Sequence, residues 1–475
     1  MNVQLAKEPD SRASHFATRA LSQYVEQATF ASLPPEAIKC AKNLILDNLG
    51  CALGGYASKA GKMLTGFARE LGGKGPATII GDGNRVSCGI ASGVNAQLAN
   101  ILDFDETWRI GHPGSSIVQT GIAVGEHLGA TGEEIINAIV LGYEVSTRIG
   151  AGVWHGKGLV SKVRPMSWHV YGPAITAAKL LHLTSAKINQ TIGIAGGIAP
   201  TMNINRLIDR PSHMIKAGNL WWCESGINAA FLADKGFVGI PDWLDGDRGY
   251  WTMVSDSCNW DEMVRGLGTA WRIVSEMQLK PWPTCRHIHS GIDLSLQIMQ
   301  KENLASQDIE EIVFRSYALV CSPPYNEPQP AQMWDAFWSV PWGISMAVLG
   351  IEPGPAWYSD EKFRDPGILE MARKIKIEPL EEATKAYRER GIEGAIAEVS
   401  IRAKGITFTR RQQGIKGDPD KPLSKSELET KFVTLAHEVI GETQAASIIE
   451  RVESFETLKN VRPITRLLKA TRNRD

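Results

Sequence analysis

Several features are missing from this sequence, and each absence excludes something. None of the seven cysteines stands at Cys-x-x-Cys spacing from another, so neither a zinc knuckle nor a thioredoxin-type pair is indicated. Cysteines scattered through 475 residues read as reduced, mostly buried thiols. There is no long apolar run, hence no expected membrane-spanning helix. The opening stretch, MNVQLAKEPDSRASHFATRA, lacks the apolar core of a secretory signal. A cytoplasmic protein without membrane contact is the expectation. The formal net charge is only −1, without the basic excess that phosphate neutralisation needs, which argues against a nucleic-acid binder. There is no Walker A motif, no Gly-x-Ser-x-Gly elbow and no His-Glu-x-x-His. The glycine-rich Leu71-Gly-Gly-Lys-Gly-Pro76 lacks the strand–turn–helix setting of a dinucleotide site. Neither NAD nor ATP is expected, and no internal repeat or low-complexity tract is seen.

What is present is an ordinary globular composition, 43% hydrophobic and 22% charged, able to bury large cores. Most of the chain carries helical periodicity. Pro35-Glu36 opens a segment in which Ile38, Ala41, Leu44, Ile45 and Leu49 recur at helical spacing. Thr131-Gly-Glu-Glu134 is a capping-box signature before a wide apolar stripe. Small residues recur through Pro173–Leu183, Ile192–Ala199 and Gly226–Ala233, which suits closely packed helices. Near residue 275 the pattern changes. Glu311–Ser316 and Lys374–Ile377 read as strands, and Glu398–Arg402 with Ile406–Thr409 reads as a hairpin about Lys404-Gly405. Helix returns after Pro419, opened by a second capping box at Ser424-Lys-Ser-Glu427. The predicted fold is mainly α: a large helical domain from residues 1–274 plus 411–475, with a smaller α+β lid domain, 275–410, inserted.

Three polar clusters interrupt these patterns. The first runs from Asp103 through Asp105, Glu106, Thr107 and Arg109 to His112. Pro113-Gly114 places His112 just before a helix, whose N-terminal N–H groups attract anions. Aspartate beside histidine supplies a general base and its orienting partner. A solvated acidic loop is the plainer alternative, and metal binding by Asp103, Asp105 and His112 is not favoured by the spacing. The second, Lys280-Pro-Trp-Pro-Thr-Cys-Arg286-His287-Ile-His289, joins cationic donors suited to carboxylates with imidazoles suited to proton transfer. A domain-linking loop is its alternative. The third, Arg206 to Lys216 with Asp209, Arg210 and His213, precedes a helix start and makes an anion-binding edge or an exposed charged loop. His169 lies before an alanine-rich helix, and Tyr325 follows two prolines. Many of the fourteen tryptophans, including Trp108, Trp168, Trp222, Trp282 and Trp334, flank these segments. Core packing is the default reading for them, an indole-walled pocket the alternative.

Taken together the segments resemble the MmgE/PrpD family over nearly the whole chain. Leu46-Asp-Asn-Leu-Gly-Cys-Ala-Leu-Gly54 resembles its early motif, and Asp103-Phe-Asp-Glu-Thr107 with His112-Pro its acidic active-site loop. Asn219 to Ala233 resembles the helix after its substrate loop. Lys280-Pro-Trp-Pro-x-Cys with His289 and Ile-Asp293 resembles its Lys-x-Tyr-Pro-x-Cys segment, with Trp282 in place of tyrosine. Lys416-Gly-Asp-Pro-x-x-Pro-Leu-Ser424 and Lys431-Phe resemble its C-terminal signature. The resemblance implies a helical domain with a smaller lid, a homodimer, and an enzyme that uses no cofactor and no metal. It implies a small polycarboxylate substrate that is dehydrated, decarboxylated or epimerised, reactions that need the same kind of acid–base site. A catalytically inert, carboxylate-binding dimer is the rival. By resemblance Asp103, His112, His289 and Tyr325 are catalytic, and Thr107 binds substrate as a hydrogen-bond donor. His213 and Lys216 stand where the family carries a basic residue, and His169 replaces a histidine at a different spacing. On this expectation His112 and His289 are the acid–base pair, facing the substrate from opposite domains, and Asp103 orients His112. Lys280, Arg286 and the 206–216 loop hold carboxylates, with His169 also in contact with substrate.

Overall fold

Prolines and small side chains decide where the helices start and how closely they approach. The computed structural model describes residues 16–109, 111–154, 166–200, 212–216 and 218–471. Nine helices occupy the first half of the described chain: α1 (Ala17–Gln27), α2 (Pro35–Tyr56), α3 (Lys59–Leu71), α4 (Cys88–Asn100), α5 (Pro113–Leu128), α6 (Gly132–Val153), α7 (Tyr171–Leu180), α8 (Ser185–Ile198) and α9 (Gly218–Asp234). Pro35 and Pro113 begin α2 and α5, where the missing N–H costs nothing. The capping box of α6 forms as predicted, Glu134 accepting the Thr131 N–H at 2.7 Å. Gly142 of α6 packs against α7 so closely that a Cβ there would lie 2.1 Å from Thr176 Oγ1. A two-stranded ribbon, β1 (Ala77–Thr78) and β2 (Arg85–Val86), lies between α3 and α4.

The α+β region contains α10 (His289–Glu302), α11 (Val340–Val348), α12 (Pro366–Arg373) and α13 (Glu381–Arg390). Its sheet has the order β4-β3-β5-β6. β3 (Ile309–Ser316) runs parallel to β4 (Ile375–Pro379) and antiparallel to β5 (Ile396–Ala403), which turns into β6 (Ile406–Gln413). The turn is the predicted one: Lys404 and Gly405 both have positive φ, 54° and 73°, the geometry that matches the strands' right-handed twist. β6 alternates exposed and half-buried residues as an edge strand should. α14 (Lys425–Glu453), opened by the second capping box, then returns to pack its Phe432 and Leu435 onto Gly50 and Gly54 of α2.

Buried apolar side chains fall into two clusters. One joins residues from Ala17 to Leu279 with those of α14 and the tail to Leu468, and the other runs from Trp282 to Ile415. Trp334 and Phe337 belong by sequence to the second stretch but pack in the first cluster. The expectation of mostly buried thiols needs correction: all seven cysteines are free, but only Cys51 and Cys223 are buried. Among the described residues no helix is long and apolar enough to cross a membrane.

Short backbone pairings tie distant parts of the chain together. Thr107 and Gln278 exchange N–H···O bonds at 2.8 and 3.0 Å, and the Leu279 N–H donates to Gly417 O at 3.1 Å. Gly417 has φ +94°, and a Cβ there would stand 1.9 Å from Leu279 O. Gly417→Ala therefore combines a left-handed backbone with a direct clash, costing of the order of 1–3 kcal/mol or more. A lowered thermal midpoint is expected, and an unchanged midpoint would show that this pairing is not maintained in solution.

Candidate active site

The chain between α4 and α5 folds back on itself. Asp103 takes a left-handed conformation, φ 52°, as its N–H closes a turn onto Asn100 O. Trp108 and Gly111 exchange backbone bonds at 2.9 and 2.8 Å. This tight turn returns the chain so that His112, the N-cap of α5, comes back beside Asp103 and Asp105. Its Nδ1 lies 3.1 Å from Asp105 Oδ1, and its Nε2 lies 3.5 Å from both Asp103 Oδ1 and Lys216 Nζ. Asp105 is itself held by the Asn100 amide at 2.9 and 3.0 Å. A carboxylate near Nδ1 favours a proton there electrostatically, leaving the Nε2 lone pair toward the lysine. Asp105 is thus the nearer carboxylate to the imidazole, and Asp103, expected to orient it, faces the other ring nitrogen at 3.5 Å.

Asp103 instead sits between two ammonium groups. Its Oδ1 accepts from Lys216 Nζ at 2.6 Å and Lys280 Nζ at 2.7 Å, and Lys280 also donates to the Asp103 carbonyl at 2.8 Å. Burial pushes the Asp103 carboxyl up, but Lys216, Lys280 and His112 outweigh it and hold it well below the ordinary range. Burial, with Lys216 next, pulls His112 below its usual value, while Asp105 opposes. Burial likewise lowers Lys280, against Asp103. The resting arrangement is a neutral imidazole beside two ammoniums and two carboxylates, Asp103 between the ammoniums and Asp105 at the ring. Such a corner offers ammonium donors to a carboxylate and one lone pair for proton transfer.

The surrounding residues position this group. The His112 N–H donates to His169 Nε2 at 3.2 Å, and His169 Nδ1 donates to Met166 O at 2.8 Å. The His169 ring is stacked between Trp168, centroids 3.8 Å apart, and Trp222, 4.5 Å, and burial holds it neutral, its pKa pulled down to about 3. Both nitrogens of His169, expected to contact substrate, are therefore engaged inside the protein in this conformation. Glu106 accepts the Gly114 N–H at 2.8 Å, so this N–H of the first turn of α5 is already engaged from within. Burial, then Asp105, pushes Glu106 well above the carboxylate range. Thr107 Oγ1 donates to Gln278 Oε1 at 3.1 Å.

The second cluster is closed off more fully than expected. Arg286 pairs with Asp418 at 2.5 Å and donates to Lys416 O at 2.7 Å. His289 receives Arg286 Nη1 at Nδ1, 3.3 Å, and its Nε2 faces Thr284 O at 3.1 Å. With 0% of its surface accessible, and burial and Arg286 holding it neutral, His289 has no face through which a substrate reaches it in this conformation. His112, by contrast, keeps 19% of its side chain accessible. Two imidazoles on opposite sides of a substrate are not what this conformation presents. Tyr325 is buried against His287 and Trp338 with its hydroxyl at Cys285. His213 is exposed, its ring 4.3 Å from Trp334. Arg206, Asp209 and Arg210 lie outside the described residues. Asp105 beside His112 and Asp418 beside Arg286 received no catalytic or binding role from the sequence, because nothing local in either motif says which carboxylate meets which cation.

Comparisons with known proteins agree with the motifs. Residues 19–263 match the MmgE/PrpD N-terminal domain and residues 282–457 the MmgE/PrpD C-terminal domain. Among curated relatives, cis-aconitate decarboxylase of Mus musculus is 26% identical, covering 91% of this chain and 89% of its own. The Homo sapiens cis-aconitate decarboxylase is 24% identical over 95% and 94%. That of Aspergillus terreus strain NIH 2624 is 23% identical over 97% of each.

The geometry fixes how His112 should titrate. Its ring is expected to stay neutral to a pH below the ordinary histidine value. Lys216→Met should raise the midpoint by removing a repelling cation, and Asp105→Asn should lower it by removing the anion that favours the imidazolium. Histidine NMR across a pH series reads all three; shifts of the opposite sign would mean that the ring does not sit between these groups.

Proposed function

The chain belongs to the MmgE/PrpD family, and on that premise we propose that it is a lyase acting on a small polycarboxylate, most specifically a carboxy-lyase for an unsaturated tricarboxylate of the cis-aconitate class. The observation that carries the reading is a partly accessible His112 whose Nε2 lies 3.5 Å from the Lys216 ammonium, which shares Asp103 with Lys280. The activity named for the relatives favours decarboxylation among the lyase reactions.

The step needs little apparatus. In a β,γ-unsaturated carboxylate the C–CO2 bond breaks and its electron pair forms a new C=C. The displaced alkene pair takes a proton at the carbon next to a second carboxylate. Negative charge builds on that carboxylate, and fixed ammonium groups stabilise it in a low-dielectric site. His112 supplies the proton. A bound polyanion raises the pKa of the imidazole, and Asp105 supports the Nδ1–H of the cation that results. Nε2–H then protonates carbon, and solvent restores the proton. We assign His169 and His289 to positioning and keep Asp103 as the carboxylate that fixes both lysines. Tyr325 and Thr107 remain hydrogen-bond donors only if a moved segment opens them. The acids of the loop are engaged with ammonium groups, an imidazole and a helix cap, a donor set that favours a reaction without metal. The two apolar clusters support reading the chain as a helical domain with an α+β domain inserted.

One observation favours a hydro-lyase instead: the resting His112 is neutral, the form a base needs to remove a proton next to a carboxylate. The two are separable in one experiment. With the chain in D2O and a panel of citrate-like and aconitate-like acids, decarboxylation gives CO2 and one carbon-bound deuterium, whereas dehydration gives an alkene without CO2. Activity should survive EDTA, and a divalent ion needed to restore it would make the acidic loop a metal site. Neither product nor exchange with any acid would leave the inert binding dimer as the better reading. His112→Ala should lower kcat by on the order of 10²–10⁴-fold with the fold intact. A full kcat with only a raised KM would remove His112 from proton transfer.

A further inference from the structure

Lys431 on α14 makes no contact with His112, but its ammonium reaches three separate parts of the chain. Nζ donates to Asp47 Oδ1 on α2 at 2.5 Å, to Phe104 O at 2.6 Å and to Lys280 O at 2.9 Å. It also lies 4.0 Å from the centroid of the Phe104 ring. An ammonium has three N–H donors, and all three are used. The side chain is 6% accessible and that of Asp47 is closed entirely. Two of the three acceptors are backbone atoms of the candidate site. Phe104 O lies between Asp103 and Asp105, and Lys280 O belongs to the residue whose own ammonium holds Asp103.

We propose that Lys431 is a positioning residue: its ammonium sets the spacing between the Asp103–Asp105 turn and the Lys280 segment, and so the placement of both partners beside His112. An ion pair kept for stability alone would need only Asp47, and apolar side chains of equal volume serve that purpose at least as well. Two site carbonyls converging on the same nitrogen are not explained by stability. Arginine would not replace it, because a planar fork on a longer stem does not present three divergent donors at one point. The kinetic part of the test rests on the lyase reading; the spectroscopic part does not.

Lys431→Met alone strands the Asp47 carboxylate in the core and is expected to fold poorly. The test is therefore the pair Asp47→Asn/Lys431→Met, which leaves net charge unchanged and no buried ion. Two quantities are read in the full chain: the titration of His112 by NMR without substrate, and kcat and KM on the tricarboxylate that the wild type turns over. The groups that face His112 are Asp103, Asp105, Lys216, Lys280 and His169. A loosened site admits water and moves the lysines away, so the His112 midpoint should rise. Turnover should fall about ten- to a hundredfold, the scale of a misplacement near 1 Å, and more in kcat than in KM. A folded variant with wild-type His112 titration overturns the proposal and leaves the ion pair merely structural. Should the paired variant not fold, Lys431→Arg, which retains the charge opposite Asp47, is read by the same criterion. A wild type that turns over no acid defeats the lyase reading, while the His112 titration still decides the role of Lys431.

Discussion

One carboxylate oxygen holds the site together. Asp103 Oδ1 accepts from Lys216 and Lys280 at 2.6 and 2.7 Å, ammoniums that come from the segment before α9 and from the start of the α+β stretch. Two cations placed this close repel one another strongly where the dielectric is low. The anion between them makes the approach tolerable, and its own burial is tolerable only because both cations are there. Each member therefore fixes the other two, and a flexible pair of lysines becomes a rigid corner of ammonium donors. His112 takes its electrostatic setting from that corner.

The imidazole is then oriented from three directions by groups with different tasks. Asp105 favours a proton at Nδ1, His169 holds the backbone N–H, and α5 begins at the next residue with Glu106 holding the Gly114 N–H. Histidine serves this backbone role well because an indole sandwich keeps the ring flat and desolvation keeps it neutral, so that one nitrogen accepts while the other donates. His169 and His289, expected to act on substrate, both have their nitrogens engaged internally and almost no accessible surface in this conformation.

Buried polar pairs form junctions between distant parts of the chain. Lys431 with Asp47, Arg286 with Asp418, and Gln278 with Thr107 and Asp418 all join residues more than a hundred positions apart. Apolar residues would hold such a seam as firmly, but without register. A buried ion with several hydrogen-bond partners tolerates few alternative placements, since each leaves a polar atom unsatisfied. That exactness of fit is what a proton transfer over a bond length requires.

The sequence by itself determined the elements. Helical periodicity, the Thr131 and Ser424 capping boxes, and the Lys404-Gly405 turn each depend on neighbours within a few residues, and all appear where they were read. It also determined the family and the residue types of the site, because Asp103, Asp105, His112, Lys216 and Lys280 sit in compact motifs. Pairing was decided only in three dimensions. Asp103 and Asp105 are two residues apart and chemically identical, so nothing local says which meets lysines and which meets the imidazole. The same holds for Lys431, whose three partners lie on α2, in the 100–112 loop and at Lys280. Accessibility, too, is a tertiary property: His112 and His289 are equal as sequence, and packing alone leaves one ring within reach of a ligand and seals the other.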